Sequence, residues 1–218
     1  MNYEIYLQPS YALLKINLSA GEGIVAESGA MVSMSDGVQV ETSTRGGLFS
    51  AFKRVLGGES VFLNTFRANI PAEVTLAPVL PGDIYPQQLN GDGWIGQPGS
   101  FLAADEGITL DSKFGGLKSI VGGEGVFLLK MSGTGMLFLS SYGGIYRVDL
   151  QPQQKYIVDT GHMVAFTDTT QYTIRSVGSW KSTFLSGEGL VFEFTGPGTV
   201  LIQTRNFSAL RSAVSIKH

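Results

Sequence analysis

Cysteine is absent from the 218 residues, which excludes a disulfide framework and any thiolate-bound metal. Histidine is almost as scarce: there are two, and His218 is the last residue. A metal-dependent double-stranded β-helix enzyme needs paired histidines with a carboxylate near them in sequence. No such set occurs. His162 stands alone beside Gly161 and reads as a structural strand residue. Charge is thin, at 15% of residues, with 15 basic side chains against 18 acidic ones. Lys53-Arg54 is the only adjacent basic pair. Binding to a nucleic-acid backbone requires clustered cations that displace counterions, so no nucleic-acid partner is expected. No window approaches the roughly 20 apolar residues that cross a bilayer as a helix. Met1-Asn2-Tyr3-Glu4-Ile5 has neither the basic start and apolar core of a signal peptide nor the Arg-rich character of a transit peptide. A soluble, cytoplasmic chain is the expectation.

Helical periodicity is nearly missing too. Only 48–56 and the tail 207–216 offer a turn or two. What fills the chain instead is a message written three times. Gly58-Glu59-Ser60-Val61-Phe62-Leu63 returns as Gly123-Glu124-Gly125-Val126-Phe127-Leu128 and again as Gly187-Glu188-Gly189-Leu190-Val191-Phe192. The glutamates stand at steps of 65 and 64 residues. A steady period means copies of one structural unit. Upstream of each glutamate lies a Gly-plus-apolar element: Ser28-Gly29-Ala30-Met31, Pro98-Gly99-Ser100-Phe101, Thr160-Gly161-His162-Met163. Alternating segments follow, such as Met34-Ser35-Asp36-Gly37-Val38-Gln39-Val40-Glu41, and period two with Gly or Asp at the ends reads as half-buried strand. Gly turns at Gly133-Thr134-Gly135 and Gly196-Pro197-Gly198 lead into further strands, with Asn69-Ile70-Pro71-Ala72 in their place in the first copy.

The predicted fold is all-β, one body over 1–218. Its repeats run over about 11–78, 83–142 and 145–205, with a tail at 206–218. No Pro/Ser-rich linker divides it, and 43% hydrophobic residues supply an ample core. The thin charged coat favours self-association.

Gly91-Asp92-Gly93-Trp94-Ile95-Gly96 satisfies G-x-G-x-x-G, but a dinucleotide site needs a strand before it and a helix after it. Pro98 and Gly99 follow, so a β turn is expected here. Gly122-Gly123-Glu124-Gly125 lacks the Lys-Ser/Thr pair of a phosphate loop, and no serine lies in a nucleophile elbow. No catalytic residue and no cofactor are assigned.

Together these motifs resemble the altered-inheritance-of-mitochondria twenty-four family. The residues that carry the likeness are Gly46-Gly47-Leu48, Gly58-Glu59-Ser60, Gly122-Gly123-Glu124-Gly125-Val126-Phe127, Gly133-Thr134-Gly135, Ser141-Tyr142-Gly143, and Gly196-Pro197-Gly198 with Gln203-Thr204-Arg205. The resemblance implies three β-sandwich-like units around a pseudo-threefold axis, double-stranded β-helix-like and similar to the fold of the tryptophan RNA-binding attenuation protein. In mitochondrial members it implies a role in inner-membrane organisation. It brings no catalytic residues.

Two features carry the functional expectations. Glu59, Glu124 and Glu188 either fix Gly-rich turns by accepting backbone N–H bonds or converge on the pseudo-axis as a cation site, since converging carboxylates repel without a cation. The loops before them hold Leu48, Phe49, Phe52, Lys53 and Arg54; Leu117, Lys118 and Ile120; Trp180, Lys181 and Phe184. Bulky apolar groups with one or two cations either plug each unit or form a surface for a membrane or a protein partner. The expected function is non-enzymatic binding or scaffolding by this surface, at the inner face of a membrane where it docks. The alternative is a metal- or small-molecule-dependent enzyme with a pocket between repeats.

Overall fold

A computed structural model of the chain describes residues 1–42, 63–114, 127–176 and 190–214. The first strands are β1 (Asn2–Tyr6), β2 (Leu13–Leu18), β3 (Gly23–Glu27), β4 (Met31–Met34), β5 (Val38–Thr42), β6 (Leu63–Ala68) and β7 (Ala72–Leu76). Two long strands, β8 (Ile84–Gly96) and β11 (Phe127–Ser140), enclose a 3-10 turn at Pro98–Ser100 and strands β9 (Phe101–Asp105) and β10 (Ile108–Phe114). Then come β12 (Ile145–Leu150), β13 (Lys155–Asp159), β14 (Met163–Thr167), β15 (Gln171–Ser176), β16 (Leu190–Thr195) and β17 (Gly198–Gln203), and a closing helix α1 (Phe207–Val214). The fold is all-β, as the alternation predicts.

All ladders between named strands are antiparallel, in three sheets. The largest has ten strands in the order β12-β17-β14-β8-β11-β9-β3-β6-β5, with β10 also on β11. The others run β1-β2-β7-β4 and β13-β16-β15. Side-chain alternation sets the faces. In β2, Leu14, Ile16 and Leu18 are buried while Lys15 and Asn17 lie at the half-buried face. Central strands depart from alternation because both of their faces are covered: Met163, Val164, Ala165 and Phe166 of β14 are all buried. Among the described residues the core forms three clusters, around Leu14, Phe66 and Phe138, around Trp94, Phe101 and Leu139, and around Phe166, Phe192 and Phe194.

The Gly-rich stretch 91–96 is not the turn expected from its composition. β8 runs through it and pairs with both β11 and β14. Gly91 takes φ +95°, a value open to glycine, and Asn90 N–H donates to Asp92 Oδ1 at 2.8 Å, so the strand bends without ending. Gly133-Thr134-Gly135 likewise lies inside β11, where the ladder to β8 shifts register between Ser132 and Thr134. Gly196-Pro197-Gly198 does separate two strands.

The described part of the tail, to Val214, forms one short helix. Asn206 caps it, its Oδ1 accepting the Ser208 N–H at 2.9 Å. Among the described residues no helix is long and apolar enough to cross a membrane.

Candidate functional site

A groove of about 560 Å³ lies where several strand ends meet. Glu27 enters it from the end of β3, Gln97 and Ser100 from the link between β8 and β9, and Ser141 and Tyr142 from the segment after β11. Met163 opens β14 beneath it, while Val79 and Phe207 form an apolar part of its lining.

The polar groups around the groove are mostly committed to the backbone. Gln203 N–H donates to the His162 carbonyl at 2.8 Å. The Gln203 side chain accepts from Tyr142 N–H at 2.9 Å and donates to the Gly161 carbonyl at 2.9 Å. Gln97 Nε2 donates to the Thr160 carbonyl, and Ser100 Oγ donates to the Gln97 carbonyl at 2.7 Å. His162 Nδ1 lies 2.8 Å from the Gln203 carbonyl. A carbonyl only accepts, so this nitrogen carries the proton and the ring acts as a clip. That geometry agrees with a structural His162, but the residue sits in the turn before β14 and not on a strand as expected.

Glu27 differs. Burial pushes its carboxyl up to about 7 from the ordinary 4.5, because an ionised carboxylate is poorly solvated in an apolar wall. Its folded-state value lies above its unfolded one. It therefore favours folding fully below pH 4.5, and that contribution is lost as pH rises through 7. Glu27→Gln, which stays neutral throughout, should unfold like the parent at pH 4. It should gain about 1–2 kcal/mol over the parent at pH 8, a figure discounted for the partial exposure of the group. Urea titrations at the two pH values measure this, and an equal midpoint shift at both would refute it.

The Ser100 and Ser141 hydroxyls of the groove donate to the Gln97 and Gly143 carbonyls, at 2.7 and 2.6 Å. Two carboxylates away from the groove are already engaged. Hydrogen bonding from Arg147 and Thr199 holds Asp149 below the usual carboxylate range, and Glu193 receives Lys155 at 3.3 Å and Arg175 at 2.8 Å. Among the described residues no three His, Asp or Glu side chains gather as metal ligands.

Glu59, Glu124 and Glu188 lie outside the described residues, as do Leu48, Phe49, Phe52, Lys53, Arg54, Leu117, Lys118, Ile120, Trp180, Lys181 and Phe184. Glu27 was missed. Its signal was an acid closing the apolar strand Ile24-Val25-Ala26, directly before the Gly-plus-apolar element.

Comparison with known proteins adds the family. The family model described as mitochondrial biogenesis AIM24 matches residues 3–205. An uncharacterized protein of Streptococcus pyogenes serotype M6 is 28% identical over 215 residues, covering 94% of this chain and 86% of that one. A crystal structure of a Streptococcus pyogenes protein is similar with a TM-score of 0.82 at 26% identity, over 98% of this chain and 97% of the other.

Proposed function

We propose, for a chain that belongs to the mitochondrial biogenesis AIM24 family, a non-enzymatic scaffold of three like units in one body, each holding out an apolar and basic loop to a partner. The units span about 11–78, 83–142 and 145–205. They contain β2–β7, then β8–β11 with β8 and β11 each serving as two strands, then β12–β17.

The observation that carries this reading is the agreement of the ladders. In each unit the fifth segment is flanked by the second and fourth. Phe66 pairs with Ile24 and Val40, Met131 with Trp94 and Leu110, and Phe194 with Tyr156 and Tyr172. The sixth segment pairs with the first and third, and the register against the third shifts at one place: between Met31 and Ser33, between Phe101 and Ala103, and between Met163 and Ala165. This repeated pairing supports the reading of a pseudo-threefold, double-stranded β-helix-like fold similar to that of the tryptophan RNA-binding attenuation protein.

On this plan 43–62, 115–126 and 177–189 each join the fourth segment of a unit to its fifth. These are the stretches rich in Phe, Leu and Trp with Lys and Arg. Apolar groups beside cations suit a lipid surface with anionic headgroups, where burial and Coulomb attraction add. The triple variant Phe49→Ser, Phe52→Ser, Trp180→Ser should keep the parental urea midpoint and lose sedimentation with phosphatidylserine vesicles. A variant that unfolds early would make these loops plugs and end the reading. Vesicle binding equal to the parent's would end it too.

A second reading has one observation in its favour. The buried Glu27 carboxyl beside the apolar Val79 and Phe207 suits a small amphipathic ligand in the groove.

A further inference from the structure

The geometry points to the groove as a site for a primary amine on an apolar chain, with the Glu27 carboxylate holding the ammonium group. The inference rests on the second reading above, of the groove as a place for a small amphipathic ligand, and names the chemical class of that ligand. Sign decides first. Among the described residues of the lining Glu27 is the one charged side chain, with no Lys, Arg or His beside it. A carboxylate half out of water attracts a cation more strongly than one on an open surface does.

Counted along the ladders, Glu27 has two counterparts. It stands three residues beyond Ile24, which pairs with Phe66. Gln97 stands three beyond Trp94, which pairs with Met131, and Asp159 three beyond Tyr156, which pairs with Phe194. Both counterparts are engaged with backbone. Gln97 Nε2 donates to the Thr160 carbonyl, and Asp159 Oδ1 accepts the Gly161 N–H at 2.8 Å. Glu27 has neither a hydrogen bond nor an ion pair among the described residues. A half-buried carboxylate without a partner costs stability, and a cation supplied from solution removes that cost.

A metal ion does not suit this anchor. Calcium takes about six to eight oxygen ligands and magnesium about six, whereas the described lining holds a single carboxylate. An ammonium group asks for less. Phe127, Tyr142 and Phe207 bring aromatic rings to the same lining, and ring faces attract organic cations. The rest of the groove sets the tail of the ligand. Val79 is 75% exposed and Phe207 51%, an apolar surface that an alkyl chain would cover. At about 560 Å³ the groove has the size of an ordinary small-ligand site.

Calorimetric titration of the full chain with octylamine, against octanol as its neutral counterpart, tests this. It is done at about pH 8, where an alkylamine stays protonated as a lysine does and Glu27 is ionised. Octylamine should bind, more tightly than hexylamine by up to about fourfold for each added CH2. Octanol should bind at least about tenfold more weakly than octylamine. Glu27→Gln keeps the side-chain size and removes the charge, so it should weaken octylamine at least about tenfold and leave octanol unchanged. Octylamine that binds the Glu27→Gln chain as tightly as the parent overturns the inference. Octanol that binds as tightly as octylamine overturns it too. If Val79→Asp, at an exposed position that tolerates the change, then abolishes octanol binding, the amphipathic-ligand reading stands without the amine. Binding of neither compound overturns both.

Discussion

Phe166→Ala is expected to cost about 3–5 kcal/mol of stability, the range for emptying a fully buried Phe site. Phe166 has no exposed surface. Its ring lies 4.9 Å from that of Tyr172, 5.0 Å from Phe194 and 6.2 Å from Phe192, at inclined angles. Such tilted contacts add to plain burial because ring edges meet ring faces. Position raises the cost further. Phe166 sits on β14 between Val200 of β17 and Ile95 of β8, so the cavity would open under the strand that joins β12 and β17 to the rest of the large sheet. A domain with about 5–15 kcal/mol in total cannot lose this amount unnoticed. The urea midpoint should fall with little change in slope. Tyr146→Ala, at an exposed site of β12, should stay within about 0.5 kcal/mol of the parent. A loss at Phe166 below about 1 kcal/mol would mean that the aromatic cluster packs otherwise.

Much of this architecture was legible in the sequence, and the reasons are physical. Period-two patterns mark strands with one wet face, so β2, with Leu14, Ile16 and Leu18 inward, announces itself. The recurring Gly-plus-apolar element marks where Met31, Phe101 and Met163 begin strands β4, β9 and β14. The long strands were hidden. Glycine serves turns and bent strands alike, so Gly91 and Gly133 looked like ends although β8 and β11 pass through them. Local composition cannot tell the two uses apart, because the pairing that keeps the strand going comes from β11 and β14 against β8. The groove was illegible for a related reason. Glu27 closes a short strand, where an acid is ordinarily solvated. The residues that help line its groove, Val79 and Phe207, are about 50 and 180 positions away in the chain. The surfaces read from the loops, by contrast, are matters of composition, and vesicle binding and the urea midpoint are their proper tests.

Gly82→Ala is expected to be the most damaging of the small substitutions, costing about 2–4 kcal/mol through forced backbone movement and broken hydrogen bonds. A Cβ on Gly82 would stand 1.7 Å from the Ser141 carbonyl oxygen. That neighbour is main chain, so no side chain can swing aside. The close approach belongs to a joint between the segment leading into β8 and the one leading into β12, where Gly82 and Gly143 form a parallel bridge. Around it Gly143 N–H donates to the Pro81 carbonyl at 2.9 Å, Asp83 N–H to the Gly143 carbonyl at 3.1 Å, and Ser141 N–H to the Asp83 carbonyl at 3.1 Å. Ala12 N–H donates to the Gly82 carbonyl itself at 3.0 Å, which brings the start of β2 into the same joint. Moving Gly82 by enough to admit a methyl group strains or breaks all four bonds, and a half-buried donor left unpaired costs more than the bond it made. Gly144→Ala is the matched comparison. Its Cβ would meet only the Thr204 methyl group at 4.0 Å, an ordinary contact, so it should be near neutral. Equal urea midpoints for the two alanine variants would rule out the tight joint. A large gap between them would place the connection of β2, β8 and β12 at Gly82, a residue whose importance lies in having no side chain.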